Sequence, residues 1–344
     1  MDKANFLPEF EDPVRQYLIA QIAKNEPRLK MRIPRPSFYA LWFGDIERLV
    51  KWTSTDKEAM SFRRINLTQN LPSFDIPSVW TDEDQVYQAH DTSTTQPESV
   101  SDHGQARIGF QSESTGSISD QARASDQARS RDHNTCVLTT RRNPKLRTIR
   151  IIPGSLNGEI SKELSFYTAW VRLRFYWTEE KVNEWRRQLE EGALINTEKI
   201  YNMITLDAQV QEYWDRGLIA FRPVRVNRDQ TEMQIAFYWL SNKECLGNIW
   251  QHQSVSLELS AFERPRYEDP EGDKVIIHAE TGKKICSGDV FTVRTDDKEH
   301  HPLPSFELLE MRWHLSRMAA MMGYEPYDES SDSDPDCECR CHRQ

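Results

Sequence analysis

The sequence predicts an α+β fold, on three observations. Apolar residues at helical spacing dominate both ends of the chain. Short runs rich in Val, Ile, Phe and Tyr, bounded by turn residues, fill the middle. Between them lies one ordered series: a hairpin at 136–152, Asn202, a short strand at 203–206 and a helix at 207–215. A polar side chain on that helix is expected to face back toward the hairpin.

At the N-terminus, Asp12-Pro13 reads as an N-cap followed by proline in the first helical turn. Val14, Leu18 and Ile22 then fall on one face, with Tyr17 beside them. A second helix is predicted over 37–53 from Tyr39, Phe43, Ile46 and Val50, joined to the first by the extended IPRPS segment. From His90 to Arg131 the composition turns to Ser, Gln and Asp, and SDQAR occurs twice, so a disordered linker is predicted.

Cys136-Val137-Leu138 and Ile149–Ile152 form the two strands of the predicted hairpin, closed by Pro153-Gly154. Phe166, Trp170, Leu173 and Trp177 fit a helix, although alternation over 171–175 also fits a strand. Thr178 caps EEKVNEWRRQLEEG, with Gly192 as the stop. Gly217 ends the 207–215 helix, and strands follow at 218–226, 233–240 and 255–259. The last element is a helix at 305–322 with Leu308, Met311, Leu315, Met318 and Met322 in one core-facing stripe. Four regions result: mostly helical 1–89, linker 90–131, an α+β domain at 132–324, and an acidic, Cys-rich disordered tail at 325–344.

The 344 residues carry a formal net charge of −10 and a mean hydropathy of −0.74. No apolar run is long enough to span a membrane. The start, MDKANFLPEFEDP, lacks a secretory h-region, and the isolated Cys136, Cys245 and Cys286 read as buried small hydrophobes. An intracellular protein, nuclear or cytoplasmic, is expected, with no membrane partner. Cys337, Cys339, Cys341 and His342 sit too close together to wrap one metal ion, so no metal ligand is assigned. His133, beside Asp132, and the pair His300-His301 are remote candidates, read instead as solvent-exposed residues. Charge is uneven: Arg131 to Arg174 is strongly basic, and 325–338 holds acids and no base.

NTCVLTTRRNPKLRTIRIIP, then NMITLDAQVQEYWDRGLIAF, then SGDVFTVRTDD and PLPSFELLEMRW together resemble fungal proteins that carry an HNH endonuclease domain. The resemblance covers roughly Asp132 to Tyr324. It implies an HNH-like ββα-metal core with a helical insertion, extra strands, N-terminal helices and a long C-terminal helix. In that family a His in the first motif is the general base, an Asn orients it, and a His on the helix holds the divalent metal. Here the three positions are Arg150, Asn202 and Gln211. Arginine is a fixed cation and can neither take a proton from water nor ligate a metal. The resemblance therefore implies a nuclease-fold protein without cleavage, in a binding or scaffolding role on nucleic acid. Arg141, Arg142, Lys145 and Arg147 are its candidate phosphate contacts. Two other readings stay open. One is a working metal-dependent endonuclease with other ligands, the only one that needs a divalent cofactor. The other is a protein-interaction module that acts through its linker and tail without touching nucleic acid.

Overall fold

The computed structural model describes residues 7–25, 33–57, 60, 115–142, 145–154, 158–159, 169–240, 254–255, 269 and 275–321. Its helices are α1 (Pro13–Asn25), α2 (Arg35–Phe43), α3 (Ile46–Trp52), α4 (Thr115–Arg131), α5 (Ala169–Tyr176), α6 (Glu179–Arg187), α7 (Ala208–Asp215) and α8 (Phe306–Met321). Its strands are β1 (Ile33–Pro34), β2 (Arg147–Arg150), β3 (Gly158–Glu159), β4 (Glu190–Glu191), β5 (Leu194–Ile195), β6 (Met203–Leu206), β7 (Ile219–Val226), β8 (Glu232–Trp239), β9 (Ser254–Val255) and β10 (Val290–Arg294). The described residues thus form a mixed α+β protein with small antiparallel sheets, in the orders β1-β9, β10-β8-β7, β2-β6 and β3-β5-β4. None of their helices is long and apolar enough to cross a membrane.

The largest sheet is built on β8, which pairs Ile219 to Trp239 on one side and Val290 to Ala236 on the other. Helix α8 lies across β7 and buries Leu308, Met311, Leu315 and Met318, so the predicted stripe faces the core. Helices α1–α3 share that same hydrophobic core through Ile19, Phe38, Trp42 and Leu49. Their seat on α8 is polar as well as apolar. Arg317, fully buried, donates from Nη1 and Nη2 to Glu9 at 2.8 and 2.9 Å. Its guanidinium also lies 4.5 Å from the Phe43 ring centre and 4.2 Å from that of Trp313.

Several local expectations need correction. Asp12 does cap α1, accepting from Val14 N at 2.9 Å, but the buried face is Arg15, Leu18, Ile19 and Ile22. Val14 and Tyr17 point to solvent, because Arg15 turns inward to donate to the carbonyls of Leu41 and Gly44. The helix predicted over 37–53 is two helices, broken at Gly44-Asp45. There the chain touches the end of α5: Asp45 N donates to Tyr176 O, and a Cβ on Gly44 would sit 2.5 Å from that oxygen. Gly192 does not stop a helix. It takes φ +61° in the turn between β4 and β5.

The predicted linker is wrong over its last part. Residues 115–131 form α4, whose Ala124 and Ala128 pack on Met203. These alanines lie four apart on one helix face, and their small size lets α4 approach the β2–β6 ladder closely. Low hydropathy hid a helix that needs only a narrow apolar contact. The rest of the linker, 90–114, lies outside the described residues, as do the 325–344 tail and most of the predicted 255–259 strand.

Candidate functional site

β2 and β6 form a short antiparallel ladder, Arg147 opposite Leu206, Thr148 opposite Thr205, Ile149 opposite Ile204 and Arg150 opposite Met203. The sequence predicts a hairpin between 136–138 and 149–152, but the observed strand is Arg147–Arg150 and its partner is β6. The 136–138 segment is instead a buried turn, with Val137 N donating to Thr205 O at 3.0 Å. The segment between the two strands, 151–202, contains α5, α6 and β3–β5. Helix α7 follows β6 directly. Its N-cap Asp207 accepts from Gln209 N and Val210 N at 3.1 Å and from Thr139 Oγ1 at 2.6 Å.

The pleat separates the ladder into two faces. Ile149, Ile204 and Leu206 enter the main core with Val210 and Trp214 of α7. Met203 meets α4, and Thr148 Oγ1 donates to Ser125 O on the same helix. Directly opposed residues in an antiparallel pair share a face, so Arg150 lies on the Met203 side. There its Nε and Nη2 donate to Glu198 Oε1 at 2.9 and 2.6 Å, with side-chain exposures of 6% and 10%. Asn196 Oδ1 accepts from Glu198 N at 2.8 Å and fixes the carboxylate's origin.

Asn202 stands at the end of the same ladder, where Ile151 N donates to its carbonyl at 2.7 Å. Its fully buried side chain donates to Ile152 O and Thr197 O and accepts from Ile152 N, each at 2.9 Å. The amide joins both ends of the inserted segment. The structure therefore brings Arg150 and Asn202 together. Gln211 is half-buried on α7, next to Val210, which enters the main core with Ile149 and Ile204.

These residues do not fit a divalent metal ion. Arg150 is a cation, Oε1 of the carboxylate beside it is engaged by that cation, and Asn202 Oδ1, the atom of an amide that could ligate, already accepts from Ile152 N. Among the described residues no group of three His, Cys, Asp or Glu is placed to hold a metal. Asp132 is buried against Arg131, at 2.8 and 3.0 Å, and accepts from Thr205 N at 2.9 Å. His133 is exposed beside it, with φ +53°. His300 and His301 stand on an outer loop around Asp297.

Of the basic residues, Arg142, Lys145 and Arg147 are exposed and Arg141 is half-buried, so they separate cleanly from the buried Arg150. Glu198 and the Arg131–Asp132 pair were not anticipated. Arg131 also donates to the carbonyls of Ile200, Met203 and Pro302, which ties α4 to β6 and to the approach of α8. A signal existed for Glu198: an arginine placed on a short buried strand requires a carboxylate nearby.

No family model, no curated protein and no solved structure matches the chain.

Proposed function

We propose that this chain is an HNH-type ββα protein that no longer cleaves and that holds the phosphate backbone of nucleic acid. One observation carries the first half. The position of the general base is occupied by an arginine locked to Glu198, in a largely buried pair. Loss of a general base alone costs about 10²–10⁴ in rate. A bound metal would add several kcal/mol of charge stabilisation, but the donors present do not suit one. What the ββα unit retains is rigidity: a capped helix, a two-stranded ladder and a buried Asn staple beneath an exposed basic segment.

Arg142, Lys145 and Arg147 supply the second half of the reading. They project from the end and edge of β2, in a protein whose net charge is −10, and are suited to a phosphate chain. The test has two arms. Incubation of plasmid with Mg²⁺, Mn²⁺, Ni²⁺ or Zn²⁺ is expected to yield no nicks. Binding to labelled nucleic acid is expected to weaken steeply with salt. Arg142→Ala, Lys145→Ala and Arg147→Ala should each lower the log–log salt slope by about one phosphate contact. Chelator-sensitive nicking would overturn the first half, and absence of binding at low salt the second.

A further inference from the structure

A second cationic segment, remote in sequence, stands beside the first. Residues 276–285 form a tight hairpin: Ile285 N donates to Ile276 O, His278 N donates to Lys283 O, and Gly282 takes φ +64°. Its turn is fastened to the 136–142 segment by Ala279 N donating to Thr139 O at 2.8 Å. That bond joins the hairpin that carries the exposed Lys283 and Lys284 to the segment that carries Arg141 and Arg142. Between the hairpin and β10 opens a cleft of about 360 Å³. Leu138, Ile285, Val290 and Phe291 line it with apolar surface, Lys283 and Lys284 with positive charge, and Asp289 with one carboxylate. Val290 is 54% exposed on an edge strand, and Phe291 is half-buried.

We infer that this cleft receives an unstacked base of single-stranded nucleic acid, while Lys283, Lys284 and the Arg141–Arg147 segment track its phosphates. The inference rests on the nucleic-acid reading above and adds a strand class and a second contact segment to it. The cations are spread over two segments, so one phosphate group cannot meet them all and a chain of phosphates can. The nearby acids are fewer. Asp289 and Asp269 accept from the backbone N of Cys286 and Ser287, and Glu280 sits at the hairpin turn. The apolar cleft selects the form. A duplex keeps its bases stacked and paired, whereas a single strand can turn one onto Phe291 at little cost.

Fluorescence anisotropy on the full chain at low salt tests this, with labelled oligothymidylate of about twelve nucleotides and a duplex of equal length. The single strand is expected to bind about tenfold more tightly than the duplex. Val290→Ser, which shortens the apolar wall at an exposed position without adding charge, should lower single-strand affinity severalfold more than duplex affinity and so reduce that preference. Lys283→Glu with Lys284→Glu should weaken the single strand about tenfold or more. Equal binding of both forms, or variants that match the parent protein, overturns this inference and leaves the broader reading standing. Loss of all nucleic-acid binding by the parent protein overturns both. Displacement of the oligonucleotide by polyglutamate as efficiently as by unlabelled oligothymidylate would identify an acidic-protein site instead and also overturn it.

Discussion

Arg150→Met is the sharpest perturbation of the ladder. It removes the cation and leaves Glu198 buried, with Oε1 stripped of its two donors and Oε2 without a hydrogen-bond partner among the described residues. Both side chains are at least nine-tenths enclosed, so solvent cannot replace the lost partner. Removing one member of such a pair costs about 3–5 kcal/mol, whereas replacing both by apolar groups is often neutral or stabilising. Arg150→Met with Glu198→Met should therefore recover stability to within about 1 kcal/mol of the parent. Urea unfolding at neutral pH of the parent, both single variants and the double variant gives the coupling directly, which from two single costs of about 3–5 kcal/mol and a double cost of about 1 kcal/mol should be about 5–9 kcal/mol. Arg150→Lys should fail to rescue, since an ammonium cannot place two fixed donors on one oxygen as the guanidinium does. A single-variant cost below about 1 kcal/mol, or no coupling in the cycle, would refute the view that this pair closes the site. The folded double variant should bind nucleic acid as the parent does, because Arg150 is not among the exposed cations.

Three further outcomes follow from the packing. The burial of His314 between Trp177 and Trp185, reinforced by Arg317, Lys181, Arg15 and Arg222, holds its imidazole well below the usual range. The unfolded chain takes up a proton near pH 6.5 that the folded one refuses, so stability should fall on acidification from about pH 6.5 by up to about 1.4 kcal/mol per unit. His314→Gln should flatten that loss between pH 6.5 and 5, as read by denaturant titration. Gly44→Ala forces a methyl to 2.5 Å from Tyr176 O and 2.9 Å from Ala40 O, both backbone atoms. It should lower stability by about 2–4 kcal/mol and the thermal midpoint with it. Ala128→Glu places a carboxylate on the buried α4–Met203 contact. Limited proteolysis should then cut within 115–131 much faster while the 203–240 region stays protected.

Legibility of the sequence varied with the kind of signal. β6, α7, β7, β8 and α8 were readable because each carries its own punctuation: Asp207 at the cap, Gly217 at φ +64°, and a long apolar stripe in α8. The ladder partner of β2 was not readable. Two short apolar runs flank the basic stretch, and only tertiary context decides that 203–206, not 136–138, pairs with 147–150. Helix α4 escaped because two alanines suffice to seat it. The rotation of α1 escaped because an inward arginine breaks the apolar period at Arg15. For the candidate site, Arg150, Asn202 and Gln211 were named through the family resemblance, by position in its motifs. The capture of Arg150 by Glu198 depends on the inserted segment that carries the carboxylate.

The bond from Arg317 to Glu9 spans 308 residues of chain. At roughly 5–20 residues per second of synthesis, the ribosome makes the two halves of this pair about 15–60 s apart. Through that interval Phe10, Trp42 and Phe43 have no α8 to close over them, and the Arg317 cation that will lie on Phe43 does not yet exist. The N-terminal helices are thus born early and completed last. Their aromatic face stays open to misassembly and chaperone capture through that interval, and any slowing of translation between it and residue 317 lengthens the exposure.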